Sequence, residues 1–445
     1  MDISDAKVFL EEHRITTVLV GGSDQIGALR GKRMPTSYFL QQAGTGFRFA
    51  WFLLNTGSVD TPVEGILDDG VPDVVGRPDL PSLRRIPWEP DAAFVFMDWF
   101  WEDGRPCELC PRGLLKSQIE RMDRELDLAP VFALELEFTV LANDPAAVRR
   151  GGWNDIELFT QDKHCYSLYE GHFYEPFIAE LRTHFSEQIE GCTPEWGEGQ
   201  FEANLRKAPA LEMADTAALF KMATKQIAAK HGVMATFMAK LREGLSGSSG
   251  HIHHSLVDPD TGETAIYEAG RRYDVSGMFE HYIAGLYELC RETTLFFAPY
   301  VNSYKRFELD SFAGVTKSWG IDNRTVAYRL INESPGACRI EDRIGGADLN
   351  PYTAFAVTIA KGLWGVRQKH ALPEAMTGNC YHIPGIEMVP TNLYAARDLT
   401  KGAPEIREIL PARFVDNYLA IVTQELQEFE TIVTDLERRR YLEMA

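Results

Sequence analysis

The stretch FALELEFTV (residues 132–140) sets two glutamates, Glu135 and Glu137, into a run that otherwise reads as a buried strand. Alternate residues of a strand project from one face about 7 Å apart, so both carboxylates point the same way. Left unpaired in an apolar setting, they would cost several kcal/mol or more. Four further places carry polar groups on a similar alternation. In EWGEGQFEANL, Glu195 and Glu202 flank a turn at Gly197 and Gly199 that folds the first acid back beside the second. In GSSGHIHHSL, His251 and His253 share a face of an extended chain. CRIEDRI alternates Arg339, Glu341 and Arg343, and NSYKRF with WGIDNRTVAYRL adds Arg306, Arg324 and Arg329.

Taken singly, each of these also fits a solvated strand face or an isolated ion pair. Taken together, the glutamates and a histidine suit hard divalent cations such as Mg²⁺ or Mn²⁺, which take carboxylate and water ligands. The arginines suit the anionic oxygens of phosphate and carboxylate. Metals beside an arginine cluster are what phosphoryl transfer requires, because its catalysis is mostly positioning and charge neutralisation. The sequence has no GxxxxGK[ST] loop, so a P-loop enzyme is not expected.

The elements that must position these side chains are a strand-rich first part and a mixed remainder. TTVLVGG, FRFAWFLL and AAFVFMDWF are short apolar runs punctuated by Gly, Pro and Asp, and they predict strands. CPRGLLKSQIERMDREL predicts a helix with Pro in its first turn, placing a boundary near residue 108. MADTAALFKMATKQIAAKHG predicts a helix capped by Asp215 and closed by Gly232. FVDNYLAIVTQELQEFETIVTDLERRRYL predicts a long amphipathic C-terminal helix or a pair.

The chain has 445 residues, 45% hydrophobic and 25% charged, enough for a large core or two domains. It begins MDISDAKVFLEEHRI, with acids where a signal peptide would be basic, and no apolar run approaches the length of a membrane span. A soluble, cytoplasmic protein is expected. The seven cysteines are scattered and odd in number, which predicts reduced thiols. CELC has no second CxxC near it and reads as two ordinary thiols beside a loop rather than a zinc or redox site. The net charge of −20 argues against nucleic-acid and membrane-surface partners, which want a basic face.

The ordered set ALELEF, EWGEGQFE, GSSGHIHHSL, NSYKRF, WGIDNRTVAYR and RIEDRIGGADLNPY resembles the glutamine synthetase superfamily. Its motifs run E-x-E, E-(x)6-E, G-S-x-x-H-x-H-x-S, N-S-Y-K-R, W-x-x-x-N-R and R-x-E-x-R followed by N-P-Y. Upstream, DQIGALRGKRMP and PDLPSLRRIPW resemble that family's N-terminal domain, and ERRRYLEM its C-terminal end. The resemblance implies an α+β fold: an N-terminal β-grasp domain, residues 1–107, and a catalytic domain, residues 108–445, whose antiparallel sheet is flanked by helices. It implies ATP with Mg²⁺ or Mn²⁺, L-glutamate and an amine as substrates, γ-glutamyl phosphate between them, and self-association into a ring-stacked decamer or dodecamer. Position by position, it gives Glu137, Glu195 and Glu202 to one metal, and Glu135, His251 and Glu341 to a second that bridges the ATP phosphates. It gives His253, Ser255 and Arg339 to the nucleotide, Arg324 and Arg329 to the transferred phosphoryl group, and Gly247, Arg306 and Arg343 to glutamate.

Two positions depart from the family. Where true glutamine synthetases carry P-G-x-E-A-P after NSYKR, this chain has LDSFAG, with Phe312 in place of the glutamate. Their D-G-S-S loop corresponds to NTGS, residues 55–58, with Thr56 opposite the aspartate. Ammonium must recover its lost hydration from charged acceptors, so these losses point to an organic primary amine: an alkyl or aryl amine, ethanolamine or a polyamine. The nearest other acids are Glu308 and Asp310. The competing expectations are a true glutamine synthetase, a guanidino kinase and a non-catalytic structural relative. Tyr394 resembles a tyrosine that is adenylylated in some bacterial members and also fits an ordinary loop tyrosine.

Overall fold

The structure, a computed structural model, describes residues 1–444 apart from the side chains of Leu67 and Asp69. Helix α1 (Ile3–Glu12) is started by a capping box between Asp2 and Asp5. The N-terminal sheet follows, built from β1 (Thr17–Ser23), β2 (Leu29–Pro35), β3 (Phe47–Ala50), β4 (Asp73–Pro78), β5 (Arg84–Arg85) and β6 (Ala92–Trp101), with α2 (Thr36–Gln42) after the first hairpin. Its order is β2-β1-β6-β4-β3, with β5 on β6, and β1 runs parallel to β6 as a β-grasp requires. FRFAWFLL is a strand only as far as Ala50; Trp51–Leu54 coil into a 3₁₀ turn whose Leu54 closes the small core.

β6 is apolar almost throughout because both of its faces are covered. Ala93, Val95, Met97 and Trp99 join a small core with Ala6, Leu10 and Phe39, whereas Ala92, Phe94 and Phe96 belong to the large core of the remaining chain.

The rest of the chain runs α3 (Pro111–Leu126), β7 (Ala129–Leu141), α4 (Pro145–Arg150), α5 (Leu168–His184), β8 (Ile189–Pro194), β9 (Gln200–Pro209), α6 (Ala210–Lys230), β10 (Met234–Thr236) and β11 (Gly250–Val257). It continues with α7 (Gly277–Glu288), β12 (Trp319–Ile321), β13 (Tyr328–Ile331), β14 (Arg339–Asp342) and α8 (Pro351–Gln368), and ends in α9 (Leu393–Gly402), α10 (Pro404–Ile409), α11 (Ala412–Thr431) and α12 (Asp435–Tyr441). The sheet order is β12-β13-β14-β11-β7-β9-β8, with β10 on β7, antiparallel except for β12 on β13. Its inner face packs Leu134, Leu136 and Phe138 of β7 against α6, α7 and the nearly fully buried α8. The outer face carries the acids. The long C-terminal pattern resolves as a pair of helices, restarted by a Thr434–Glu437 capping box.

Helix α6 begins at Ala210 directly after Pro209, so Asp215 lies inside it rather than capping it. Asp215 is buried and tied to Arg112, which explains a charge in an otherwise apolar stretch. In CELC both thiols are buried and free; Cys110 accepts from Gly113 N at the start of α3, and burial pushes the two thiols up to about 12 (Cys107) and about 11 (Cys110).

Arg112 fastens the two parts of the chain. Only 1% exposed, its guanidinium donates to Asp215 (2.9 Å), to Asp98 of β6 (2.9 Å) and to Asp79 just beyond β4 (2.6 Å), while the Tyr352 hydroxyl donates to Asp215 at 2.6 Å. Removing one partner of such a buried set leaves charges without compensation. Arg112→Ala is expected to shift the apparent urea unfolding midpoint by the equivalent of about 3–5 kcal/mol. Arg112→Lys should recover only a minor part, since one ammonium cannot address three carboxylates at fork geometry; a shift well below that range would show that the junction is held elsewhere.

Candidate active site

The strand register assembles the site. Glu137 of β7 stands opposite Glu202 of β9, Glu135 opposite His251 of β11, His253 opposite Glu341 of β14, and Glu341 opposite Arg329 of β13. Ligand atoms of Glu137, Glu195 and Glu202 lie within 4.8 Å of one another, as do those of Glu135, Glu202 and His251, and those of Glu135, His253 and Glu341. Glu195 reaches its place through the glycine turn: Gly199 has φ 68°, Glu195 N donates to Gln200 O (3.0 Å) and Gln200 N to Gly197 O (3.0 Å). A side chain at Gly199 would be strained there.

Like charges directly opposite on a ladder repel. Burial, and then Glu195, push the Glu137 carboxyl up to about 7. Burial followed by Glu135, Glu137 and Glu195 pushes Glu202 up to about 9. The compensation inside the protein is uneven. Glu137 accepts from Ser249 N (2.7 Å) and Gln200 Nε2 (2.9 Å), Glu202 from Asn204 (2.8 Å), and Glu195 from the Cys165 thiol (3.0 Å). All of these donors are neutral, and among the described residues no lysine or arginine pairs with the three acids. Glu341 differs: burial raises its pKa, but Arg343 and the two histidines overcome that and hold it near about 2. It accepts from Arg343 and, at 3.1 Å, from Arg329.

His251 and His253 both lie near Glu135. His251 Nδ1 is 3.1 Å from Glu135 and 3.7 Å from Glu341; His253 Nε2 is 3.1 Å from Glu135 and 4.0 Å from Glu341. Burial and Arg343 lower the His251 pKa, favouring the neutral ring that ligates metals, and its buried Nε2 has no hydrogen-bond partner. His253, expected on the nucleotide, thus stands as close to the acids as His251 does, while its Nδ1 accepts from Arg339 Nε at 3.2 Å. Ser255 follows two residues on, on the same face of β11.

The arginines ring this cluster. Arg306 is buried and donates to Ser249 Oγ at 3.2 Å and to the Ile344 carbonyl. It crosses Gly247 so closely that a Cβ there would come within 2.3 Å of Arg306 Cγ, so this position demands glycine. Arg343 donates to the Phe312 carbonyl at 3.0 Å, Arg329 to Asp322 as well as Glu341, and Arg339 to Ala337 O at 2.7 Å. Arg324 projects from the turn between β12 and β13, exposed and without an ion pair among the described residues.

Phe312 is 49% exposed with φ 58°, beside Arg343. The two nearby acids have other partners: Glu308 pairs with Lys240 (2.8 Å), and Asp310 with His382 (3.0 Å) and Asn379 (3.2 Å). Thr56 is buried, and its neighbours Asn55 and Ser58 bind Asn417 and Glu425 of the chain's own α11, away from the acidic cluster. Tyr394 is partly exposed at the start of α9 and donates to Glu430. Residues 395–410 form α9 and α10, which dock through Ala396, Thr400, Ile406 and Ile409. A cavity of about 660 Å³ between residues 26–29, α6 and residues 236–238 is lined by none of the acids, histidines or arginines of the cluster.

Gln200, Ser249 and Cys165 were not anticipated. Gln200 lies two residues before Glu202 on β9 and therefore on its face, a signal present in the sequence; it also donates to Gly247 O at 2.8 Å. The Ser249 contribution comes from a backbone N–H, which no side-chain pattern reveals.

The mixed sheet thus carries a row of acids and histidines framed by arginines, groups that could hold a metal ion beside anion-binding side chains. The chain belongs to the glutamine synthetase family: residues 108–441 match its catalytic domain. It is 34% identical over 446 residues to a glutamate–isopropylamine ligase of a Pseudomonas species, covering 98% of this chain and 97% of that protein. It is 35% identical over 437 residues to the gamma-glutamylethanolamide synthetase GlnA4 of Streptomyces coelicolor, covering 96% and 93%. Proteins named glutamine synthetase match too. A solved structure of GmaS without ligand superposes with a TM-score of 0.86 at 27% identity, covering 98% of this chain and 99% of that one. Among the described residues, no helix is long and apolar enough to cross a membrane.

Because Glu137 and Glu202 are raised, the folded protein holds protons that the unfolded chain releases above about pH 4.5. The stability of metal-free protein therefore falls as pH rises through about 7 and about 9. A divalent cation among the acids reverses the penalty. In EDTA the thermal midpoint is expected to drop between about pH 5 and about pH 8, and Mn²⁺ or Mg²⁺ to raise it more at the higher pH. A midpoint indifferent to cations at both values would contradict this arrangement.

Proposed function

We propose that this enzyme joins the γ-carboxyl of L-glutamate to an organic primary amine at the expense of ATP. The observation that carries the reading is Phe312: a residue with an apolar ring, its carbonyl on Arg343, stands where a glutamate would serve ammonium, and both nearby acids are engaged elsewhere. An acceptor with a carbon skeleton gains from such a wall, at about 0.8 kcal/mol per buried CH₂, whereas ammonium gains nothing. Relatives named for isopropylamine and ethanolamide chemistry support the same reading.

Within it, Glu137, Glu195 and Glu202 would hold one divalent cation, and Glu135, His251 and Glu341 a second, with His253 beside them. These cations, Mg²⁺ or Mn²⁺, supply charge neutralisation between ATP and the glutamate carboxylate. Arg306 and Arg343, with Gly247 making room for the Arg306 side chain, bind and orient glutamate. His253, Ser255 and Arg339 hold the nucleotide. Arg324 and Arg329 stabilise charge on the transferred phosphoryl group, so that the carboxylate becomes γ-glutamyl phosphate and the amine displaces phosphate. Self-association into a decamer or dodecamer of stacked rings belongs to the same reading, as does a cytoplasmic location.

Two measurements test it. Glu137→Ala and Glu341→Ala are expected to abolish glutamate- and amine-dependent phosphate release while circular dichroism stays native. A panel of ammonium, ethylamine, isopropylamine, ethanolamine, aniline, putrescine and spermine at fixed ATP and glutamate should give an organic amine the highest kcat/KM. Phe312→Ala should cut the preference over ammonium by about fourfold for each methylene the ring covers. Ammonium as the best acceptor would make this a glutamine synthetase instead.

A further inference from the structure

The cavity of about 660 Å³ has walls from both parts of the chain: residues 26–29, which join β1 to β2, and α6 with residues 236–238 from the matched catalytic domain. Its volume suits a small organic molecule rather than a single ion. Lys221 and Lys225 line it from successive turns of α6, and their Nζ atoms lie 5.6 Å and 5.8 Å from the centre of the Phe237 ring. Like charges four residues apart on a helix repel.

The protein does little to offset that repulsion. Lys221 Nζ donates to a neutral acceptor, Leu349 O, at 3.0 Å. Among the described residues, Lys225 has the Phe237 ring and no side-chain hydrogen bond or ion pair. Two acids share the wall, and each has a partner of its own: Asp348 accepts from Ser303 Oγ at 2.6 Å and Glu425 from Ser58 Oγ at 3.2 Å. Burial first, and then Lys225, lower the Lys221 pKa to about 7, although Asp348 opposes them. An anion between the two ammonium groups removes their repulsion and accepts charge-assisted hydrogen bonds from both. Beside them lie Met222, Phe237, Met238 and Phe429; Met238 and Phe429 are exposed. Such surface gains from covering a carbon skeleton, which an inorganic ion lacks.

We propose that this cavity binds a small organic anion, a carboxylate or phosphate carried on an apolar body, with Lys221 and Lys225 on the acidic group and Phe237, Met238 and Phe429 around the body. The acids, histidines and arginines of the sheet take no part, so the site is separate from the one assigned to ATP and glutamate and does not depend on the ligase reading. Because its walls belong to both parts of the chain, an occupant ties the N-terminal sheet to α6 and stabilises their junction.

The test titrates phenyl phosphate and benzoate by calorimetry into the full-length protein, with and without saturating ADP, glutamate and Mg²⁺ to compete for anion sites on the sheet. Benzyl alcohol is the uncharged control. At least one of the two anions is expected to bind with a Kd of about 1 mM or below and to raise the thermal midpoint, phenyl phosphate marking a phosphate ligand and benzoate a carboxylate. Benzyl alcohol should bind at least about tenfold more weakly. Lys225→Glu and the milder Lys225→Met should each weaken the anion about tenfold or more, with circular dichroism native. The proposal is overturned if neither anion binds up to about 10 mM, if benzyl alcohol binds as tightly, if both Lys225 variants bind as the wild type does, or if ADP and glutamate displace the anion.

Discussion

Glu137 and Glu202 stand opposite each other across the β7/β9 ladder, both buried, with Glu195 folded against them by the glycine turn. A sheet does not tolerate this without compensation. What the chain supplies there is neutral: a backbone N–H, two amides and a thiol. A few residues away, Glu341 receives two guanidinium groups. The contrast separates two ends of one site. Glu341 is settled by the protein itself, whereas the trio retains a deficit of positive charge that suits a divalent cation and a ring of hard oxygen ligands. The arginines that do not reach the trio stay available for anionic substrates.

Such a deficit persists only on a rigid support. The inner face of the acid-bearing sheet joins the large core with α6, α7 and α8, and α8 is buried along nearly its whole length, Thr353, Thr358 and Lys361 included. The N-terminal sheet adds to this from outside. Its β1 and β6 send alternate residues to the small and the large core, and Arg112 clamps aspartates from both parts with one guanidinium. The two sheets are therefore joined by continuous packing.

The acid row was legible because a strand has period two: Glu135 and Glu137, His251 and His253, and Arg339, Glu341 and Arg343 fall on shared faces as soon as the segments are read as extended. The Gly197 and Gly199 turn was equally readable. Asp215 was misplaced as a helix cap because its partner, Arg112, lies 103 residues away in sequence. The balance between His251 and His253 depends on which strand each faces, Glu135 on β7 or Glu341 on β14, and register between strands is not written in either segment alone. Ser249 contributes through its backbone, so side-chain chemistry gave no sign of it.

The cluster is divided between strands and loops. The acids and histidines of the row sit on β7, β9, β11 and β14 or directly at their ends, where a change disturbs the charge balance of the whole row. Phe312 sits on a loop with a left-handed backbone and is tied to the row by its carbonyl on Arg343 rather than through its ring. The ring can therefore be exchanged for another side chain without altering any ion pair described above, whereas an exchange within the strands cannot.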